Sequence, residues 1–282
     1  MAINLSDSEF MLLKKFILHE SGNEINEDKR YLFTTRLSVL LEQERCSTFS
    51  QFYKLLISGK KKNLIHEVIA QMTTHESGFF RDRRLFDVFS VRILPRISRH
   101  IISGKVFLPP RLRILSAGCS IGQEPYTIAI CVHEYLSKQP DLTTRNVTIL
   151  GIDVSSLTLD RARTGLYSSH ELGRDITQEE KNNYFIKSGN NWQLCPDIVN
   201  MVDFRQANLL RPDVSFGKFD VIFCRNVIIY FTPEGRDKML KFIKSILKPE
   251  GVLLIGAAEN LYSNTSGFIT RSIDKTTYYT IR

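Results

Sequence analysis

The spacing of hydrophobic residues changes at Pro109-Pro110, from a helical period before it to short β-rich runs alternating with helices after it. A chain patterned this way needs two differently built parts, and 282 residues suffice for a large and a small one. Downstream, Arg113-Ile-Leu-Ser-Ala117 reads as a strand that leads through Gly118-Cys-Ser-Ile-Gly122 into a helix over 126–136. Val147-Thr-Ile-Leu-Gly-Ile152 is a second strand, followed by a helix over 157–164. Phe219-Asp-Val-Ile-Phe-Cys224 and Gly251-Val-Leu-Leu-Ile255 are further strands, separated by a helix over 237–247 that Pro249 and Gly251 are expected to terminate. Strand, helix, strand, repeated, predicts an α/β fold with a doubly wound parallel sheet, and the tail, 267–271 and 276–281, predicts a closing antiparallel hairpin.

Upstream the pattern is helical throughout. Ser6 and Glu9 form a capping box ahead of Phe10, Leu13, Phe16 and Ile17. Asp28 starts a second helix through Tyr31, Leu32, Leu37, Leu40 and Leu41. Phe49, Phe52, Tyr53 and Leu56 mark a third, ended by Gly59, and Leu64, Ile65, Val68 and Ile69 a fourth. The expected division is a small all-helical domain over 1–72, a linker and basic helix over 73–110, and the sheet domain over 111–282. One segment interrupts the alternation, at about 170–207. A polar helix over 177–184, then Tyr184-Phe-Ile-Lys187, a Ser188-Gly-Asn-Asn191 turn and Trp192-Gln-Leu194 predict a small inserted β-subdomain.

With 43% hydrophobic and 24% charged residues, the chain is neither disordered, collagen-like nor a coiled coil. Its net charge of +8 concentrates between Phe79 and Arg113, where Arg81, Arg83, Arg84, Arg92, Arg96, Arg99, Lys105, Arg111 and Arg113 face only Asp82 and Asp87. The five cysteines are scattered with no C-x-x-C pair, which suits a reducing compartment and predicts neither disulfides nor a metal centre. Acids occupy the N-terminus where a signal peptide carries bases, and no run approaches the ~18 apolar residues of a membrane helix. A cytoplasmic protein without direct membrane insertion is expected.

In an open parallel sheet, ligands sit at the carboxyl ends of the strands near the point where strand order reverses. Gly118 and Gly122 let the first turn approach a ligand without a Cβ in the way. Asp153 closes the second strand, where an acid accepts the ribose hydroxyl protons of an adenine nucleoside; its alternative role is to cap the next helix. A dinucleotide loop would carry G-x-G-x-x-G, but here Gln123-Glu124-Pro125 follows directly. A carboxylate at that helix mouth repels a pyrophosphate and pairs with an ammonium or sulfonium, which favours S-adenosylmethionine over NAD. Asn208-Leu209 and Arg225-Asn226 follow two other strands, the first placed to read an adenine edge and the second beside the reacting end of the cofactor.

Four strings, Thr73-Thr-His-Glu-Ser-Gly-Phe-Phe-Arg-Asp82, Ser116-Ala-Gly-Cys-Ser-Ile-Gly-Gln-Glu-Pro-Tyr-Thr127, Ile152-Asp-Val-Ser155 and Phe223-Cys-Arg-Asn-Val-Ile-Ile-Tyr-Phe231, resemble the CheR family of chemotaxis receptor glutamate O-methyltransferases, and the resemblance spans nearly the whole chain. It implies a class I S-adenosylmethionine-dependent methyltransferase sheet and methyl esterification of glutamates on the cytoplasmic helices of methyl-accepting chemotaxis receptors. S-adenosylhomocysteine would be the product, and the protein would be recruited to receptor arrays. Carried over by position, His75, Ser77 and Arg81 lie over the cofactor, Glu124 near its methionine end, Asp153 on the ribose, and Asn208, Leu209, Arg225 and Asn226 along the rim; Arg81 and Tyr230 match the two positions beside the transferred methyl. The chain departs from the family at His75-Glu-Ser77, where Asn-x-Thr is usual, and its 188–191 turn is short for an insert that in some members binds a receptor C-terminal peptide.

The acceptor carboxylate is already ionised at neutral pH, so no general base is required, and the basic stretch, extended by Lys29, Arg30 and Arg36, would steer toward acidic receptor helices. A monomer meets these needs. The competing readings are a methyltransferase acting on another protein or RNA, a non-catalytic cofactor-binding adaptor that docks receptors, and last a dehydrogenase. Against nucleic acid, Phe79, Phe80, Phe86 and Phe89 sit at core spacing rather than as exposed stacking residues.

Overall fold

The computed structural model describes residues 4–72, 77–102, 111–211, 216–261 and 267–281. His75 and Lys105 lie outside the described residues. Four helices come first, α1 (Asp7–Ser21), α2 (Tyr31–Gln43), α3 (Phe49–Ile57) and α4 (Lys62–Met72). Ser6 caps α1 in a reciprocal box with Glu9, and Thr48 caps α3. Their apolar faces meet in a core built on Leu13, Ile17, Phe33, Leu37, Leu41, Phe49, Phe52 and Val68. Asp28 lies inside a short 3-10 turn, Glu27–Lys29, rather than at the start of the second helix, which begins at Tyr31.

The helices α5 (Arg83–Val88) and α6 (Leu94–Ile102) follow, joined by a π-helical stretch over Phe89–Ile93. Phe79, Phe80, Phe86 and Phe89 are buried, as their spacing predicted, and Phe86 stacks on Phe223 of the sheet. The basic residues of this stretch are not a free charged face. Arg83 pairs with Glu180 at 2.7 Å, Arg92 with Asp274 at 2.8 Å, and Arg84 donates to the Asp274 carbonyl. Arg96 lies over the Tyr278 ring, and Arg113 donates to the carbonyls of Lys218 and Phe216. Much of the charge surplus read as an electrostatic footprint instead ties the insert and the C-terminal hairpin to the body of the protein.

The remaining chain runs β1 (Leu112–Ala117), α7 (Gln123–Leu136), β2 (Val147–Asp153), α8 (Ser156–Thr164), β3 (Leu166–Ser168), α9 (Ser169–Leu172), α10 (Gln178–Tyr184), β4 (Phe185–Ser188), β5 (Asn191–Leu194), α11 (Pro196–Val199), β6 (Val202–Gln206), β7 (Phe219–Cys224), α12 (Pro233–Ile246), β8 (Leu247–Ile255), β9 (Phe268–Ile273) and β10 (Thr276–Ile281). The main sheet has the order β6-β2-β1-β7-β8-β10-β9, with every pairing parallel except those of β10. This is the doubly wound sheet with a closing antiparallel hairpin that the sequence predicted. The strand order reverses between β1 and β7, so their carboxyl ends open the crevice that such sheets use for ligands.

Two local expectations are corrected. Pro249 and Gly251 do not end α12, which stops at Ile246; both lie inside β8, where pairing with β7 shifts register between Phe219 and Val221. A register irregularity of this kind inside a strand tolerates a residue without an N–H. The insert is a three-stranded antiparallel sheet, β3-β5-β4, whose first strand starts at Leu166. Three residues directly after a helix carry too little alternation for β3 to be read from spacing.

Candidate active site

The turn after β1 is built from its own backbone. Gly118 and Cys119 donate their N–H groups to the Ile152 carbonyl at 2.8 and 2.9 Å, and Gly122 donates to Cys119 at 3.0 Å. Gly118 holds φ at +76°, and a Cβ there would come within 2.5 Å of Val227. Gly122, at φ +89°, would push a Cβ into Ala162 and Phe204. Both glycines are therefore demanded by close packing as well as by left-handed backbone. Ser120 donates its N–H to Asp153 Oδ2 at 2.8 Å, and Asp153 Oδ1 accepts from Ser155 at 3.0 Å. Ser155, not Asp153, caps α8.

Two adjoining recesses open at the β1–β7 reversal. The first is lined by Asp153, Val154, Ala207, Asn208, Leu209 and Val227, among others. The second is lined by Ser77, Arg81, Glu124 and Arg225, among others. Gly118, Ser120, Asn226 and Tyr230 border both. Every described residue of the sequence-derived set thus lines one recess or the other, with Asp153, Asn208 and Leu209 at one end and Ser77, Arg81, Glu124 and Arg225 at the other.

Arg225 organises the second recess. The residue is 5% exposed, and its guanidinium donates to Glu124 Oε2 at 2.9 Å, Asp82 Oδ2 at 2.6 Å and the Arg81 carbonyl at 2.7 Å. Its Nε is buried without a hydrogen-bond partner. Glu124 also accepts from Ser116 Oγ at 2.7 Å, so the carboxylate read as a free anion at the mouth of α7 is already paired. Phe80 and Asp82, on either side of Arg81, both have positive φ, +53° and +62°. Non-glycine residues there are strained, and the turn persists because the Phe80 N–H reaches Thr127 Oγ1 at 3.1 Å while Arg225 grips the other side.

Asn208 lines the first recess, but its amide is committed: Nδ2 donates to the Glu20 carbonyl and Oδ1 accepts from Leu210, both at 2.8 Å. A reading of the adenine edge by the Asn208 side chain would have to break these bonds, which leaves the adjoining backbone and the buried Leu209 as the surface presented there. Tyr230 ends a 3-10 turn over Ile228–Tyr230 that follows β7.

The end of α1 also forms part of the site, through Ser21 and Asn23, which line the first recess. Glu24 donates its N–H to the Tyr230 carbonyl at 2.9 Å, and Asn23 bridges to Phe231. These residues lie more than 200 positions from Tyr230 and carry no motif of their own, so nothing in the sequence pointed to them. Among the described residues no cluster of histidine, cysteine and carboxylate side chains is placed to hold a metal ion.

The N–H groups of Gly118, Cys119, Ser120 and Gly122 are all donated internally, so this turn is no cradle for a pyrophosphate.

A family model described as CheR methyltransferase, all-alpha domain, matches residues 8–73, and one described as CheR methyltransferase, SAM binding domain, matches residues 75–277. A chemotaxis protein methyltransferase of Vibrio parahaemolyticus is 34% identical over 268 residues, covering 95% of this chain and 94% of its own length. Chemotaxis protein methyltransferase 1 of Pseudomonas aeruginosa is 35% identical over 260 residues, 92% of each chain, and a chemotaxis protein methyltransferase of Borreliella burgdorferi is 32% identical over 264 residues, 93% of this chain and 91% of its own.

Proposed function

This chain belongs to the CheR methyltransferase family, uses S-adenosylmethionine and acts in chemotaxis, and we propose that it esterifies glutamate side chains of chemotaxis receptors. The observation that carries the proposal is the meeting of Arg81 and Tyr230 at the second recess, with no histidine–carboxylate pair among the described residues that line it. A site whose nucleophile arrives already ionised needs an anion-holding cation and a shaped methyl pocket rather than a base.

When bound, S-adenosylmethionine supplies a methyl group made electrophilic by its sulfonium. Asp153 and the Leu209 wall hold the nucleoside end, and Ser77, Glu124, Arg225 and Asn226 surround the other. Arg81 donates charge-assisted hydrogen bonds to the substrate carboxylate, while Tyr230 orients it in line with the methyl and helps exclude water that would screen the opposite charges. Arg225 serves this arrangement by neutralising Glu124 and Asp82 and fixing the turn that presents Arg81.

The partners in this reading are the acidic cytoplasmic helices of the receptors, met by a cytoplasmic monomer recruited to receptor arrays. Among the described residues no helix is long and apolar enough to cross a membrane. The deciding experiment is transfer of labelled methyl from S-adenosylmethionine to receptor-bearing membranes, followed by mild alkali. Label released as methanol supports a carboxyl methyl ester. Transfer that survives alkali points to another acceptor, and cofactor binding without transfer points to the adaptor reading.

A further inference from the structure

The segment that follows β7 carries Asn226, which lies in no helix or strand, and Tyr230, which ends a single 3-10 turn, and both border the two recesses. The support comes from Glu259. After β8 the chain turns at Gly256, and the Glu259 carboxylate, 9% exposed, comes up under the segment. Oε2 accepts the N–H groups of Asn226 at 2.7 Å and Gly256 at 2.8 Å; Oε1 accepts those of Val227 at 3.0 Å and Ile228 at 2.9 Å. Among the described residues no lysine, arginine or histidine forms an ion pair with it, so backbone amides alone satisfy a buried anion.

The arrangement is tight and directional. Asn226 is held at φ +57°, a left-handed conformation that a free loop would seldom keep. Trans peptide planes point N–H and C=O in opposite directions, so drawing the amides of Asn226 and Val227 to Glu259 turns the carbonyls of Arg225 and Asn226 away from it. At Gly256 a Cβ would come within 2.8 Å of Glu259 Oε2 and 2.9 Å of Asn226 Nδ2. Glu259 lines neither recess.

We propose that Glu259 is a positioning residue for methyl transfer, fixing the backbone of residues 226–228 and through it the places of Asn226 and Tyr230 in the cleft. The proposal rests on the methyl-transfer reading given above. Glu259→Gln keeps the shape but sets an NH₂ donor against backbone N–H groups, and Gly256→Ala attacks the same contact from the other side.

The test measures the dissociation constant of S-adenosylhomocysteine by calorimetry, kcat and KM for methyl transfer to receptor membranes, and amide exchange at 226–228. Both substitutions are expected to weaken S-adenosylhomocysteine by about tenfold, to lower kcat by at least about tenfold with KM for receptor unchanged, and to speed exchange at those amides. Leu194→Ala, a core truncation in the insert, is the control: it lowers the thermal midpoint without moving the dissociation constant. If Glu259→Gln lowers only the thermal midpoint and leaves affinity and kcat within about twofold of the parent, Glu259 is a structural residue and the proposal is overturned. Should the parent protein bind S-adenosylhomocysteine but methylate no receptor, the receptor reading fails, and the affinity arm still decides Glu259.

Discussion

The Arg225 guanidinium reaches the Asp82 carboxylate at 2.6 Å across 143 positions of sequence, and Glu124 lies on its other side at 2.9 Å. One buried cation thus joins the linker that carries Arg81, the first helix of the sheet domain and the end of β7. Removing it would leave the largely buried Glu124 carboxylate without its cation. Arg225→Ala is expected to cost about 3–5 kcal/mol, as for other broken buried pairs. Urea unfolding measures this, and a loss under about 1 kcal/mol would mean that solvent replaces the bridge.

Arg81 is assigned to the reacting carboxylate rather than to the cofactor alone. Arg81→Ala is therefore expected to lower turnover by about 100-fold or more while S-adenosylhomocysteine affinity changes by less than about tenfold. Steady-state methylation and calorimetry together separate the two effects. Near-normal turnover would remove Arg81 from the reaction.

Gly22 ends α1 at φ +81°, and a Cβ there would lie 2.3 Å from Leu210 Cδ1 and 2.9 Å from Phe231 Cε1. Gly22→Ala should cost about 1–3 kcal/mol through backbone strain and overpacking. Because Ser21 and Asn23 wall the first recess, the displacement should also weaken cofactor binding several-fold. Unchanged affinity in a destabilised protein would show that the helical domain covers the cleft without shaping it.

Glu180 links the insert to α5. Burial raises its carboxyl pKa, but hydrogen bonds from Arg83 and Thr177 outweigh burial and hold it below the ordinary carboxylate value. A depressed folded pKa contributes stability that is fully present above the unfolded value and is lost as pH falls through the folded one. Glu180→Gln should therefore lose stability at pH 7 and show a shallower acid decline than the parent below about pH 4.3. Parallel urea midpoints at pH 7 and in that acid range check the sign.

Burial pushes the thiol of Cys131 up to about 12 and raises those of Cys119 and Cys224 well above the ordinary value. These thiols should react with a disulfide reagent at pH 8 only after unfolding, leaving the part-exposed Cys46 and Cys195 as the native targets. Mass mapping of the labelled sites distinguishes them. Rapid native labelling of Cys119, which lies in the first turn of the sheet domain, would show that this turn opens.

The sheet was legible in residues 112–255 because apolar strands and their terminating turns are local signals. Asp153 and the Gly118–Gly122 turn could be placed at a ligand site for the same reason: parallel strands end on one rim. Asn208 shows the limit of that reasoning. It stands on the rim as expected, yet its amide is taken up by the Glu20 carbonyl, a partner 188 positions away. The arginines between Phe79 and Arg113 show the same limit, because charge is visible in sequence and its pairing with Glu180 and Asp274 is not.

By itself the sequence determined the two-part architecture, the doubly wound sheet with its hairpin, and the residue types gathered at the strand ends, since periodicity, capping and turn chemistry act over a few neighbouring residues. Only the tertiary structure decided that Arg225 holds the Arg81 turn through Asp82, that the end of α1 walls the cleft and bonds to Tyr230, and that Glu259 carries the amides beneath Asn226. Each of these is a directional hydrogen bond between groups brought together when the core forms, and no spacing along the chain encodes its geometry.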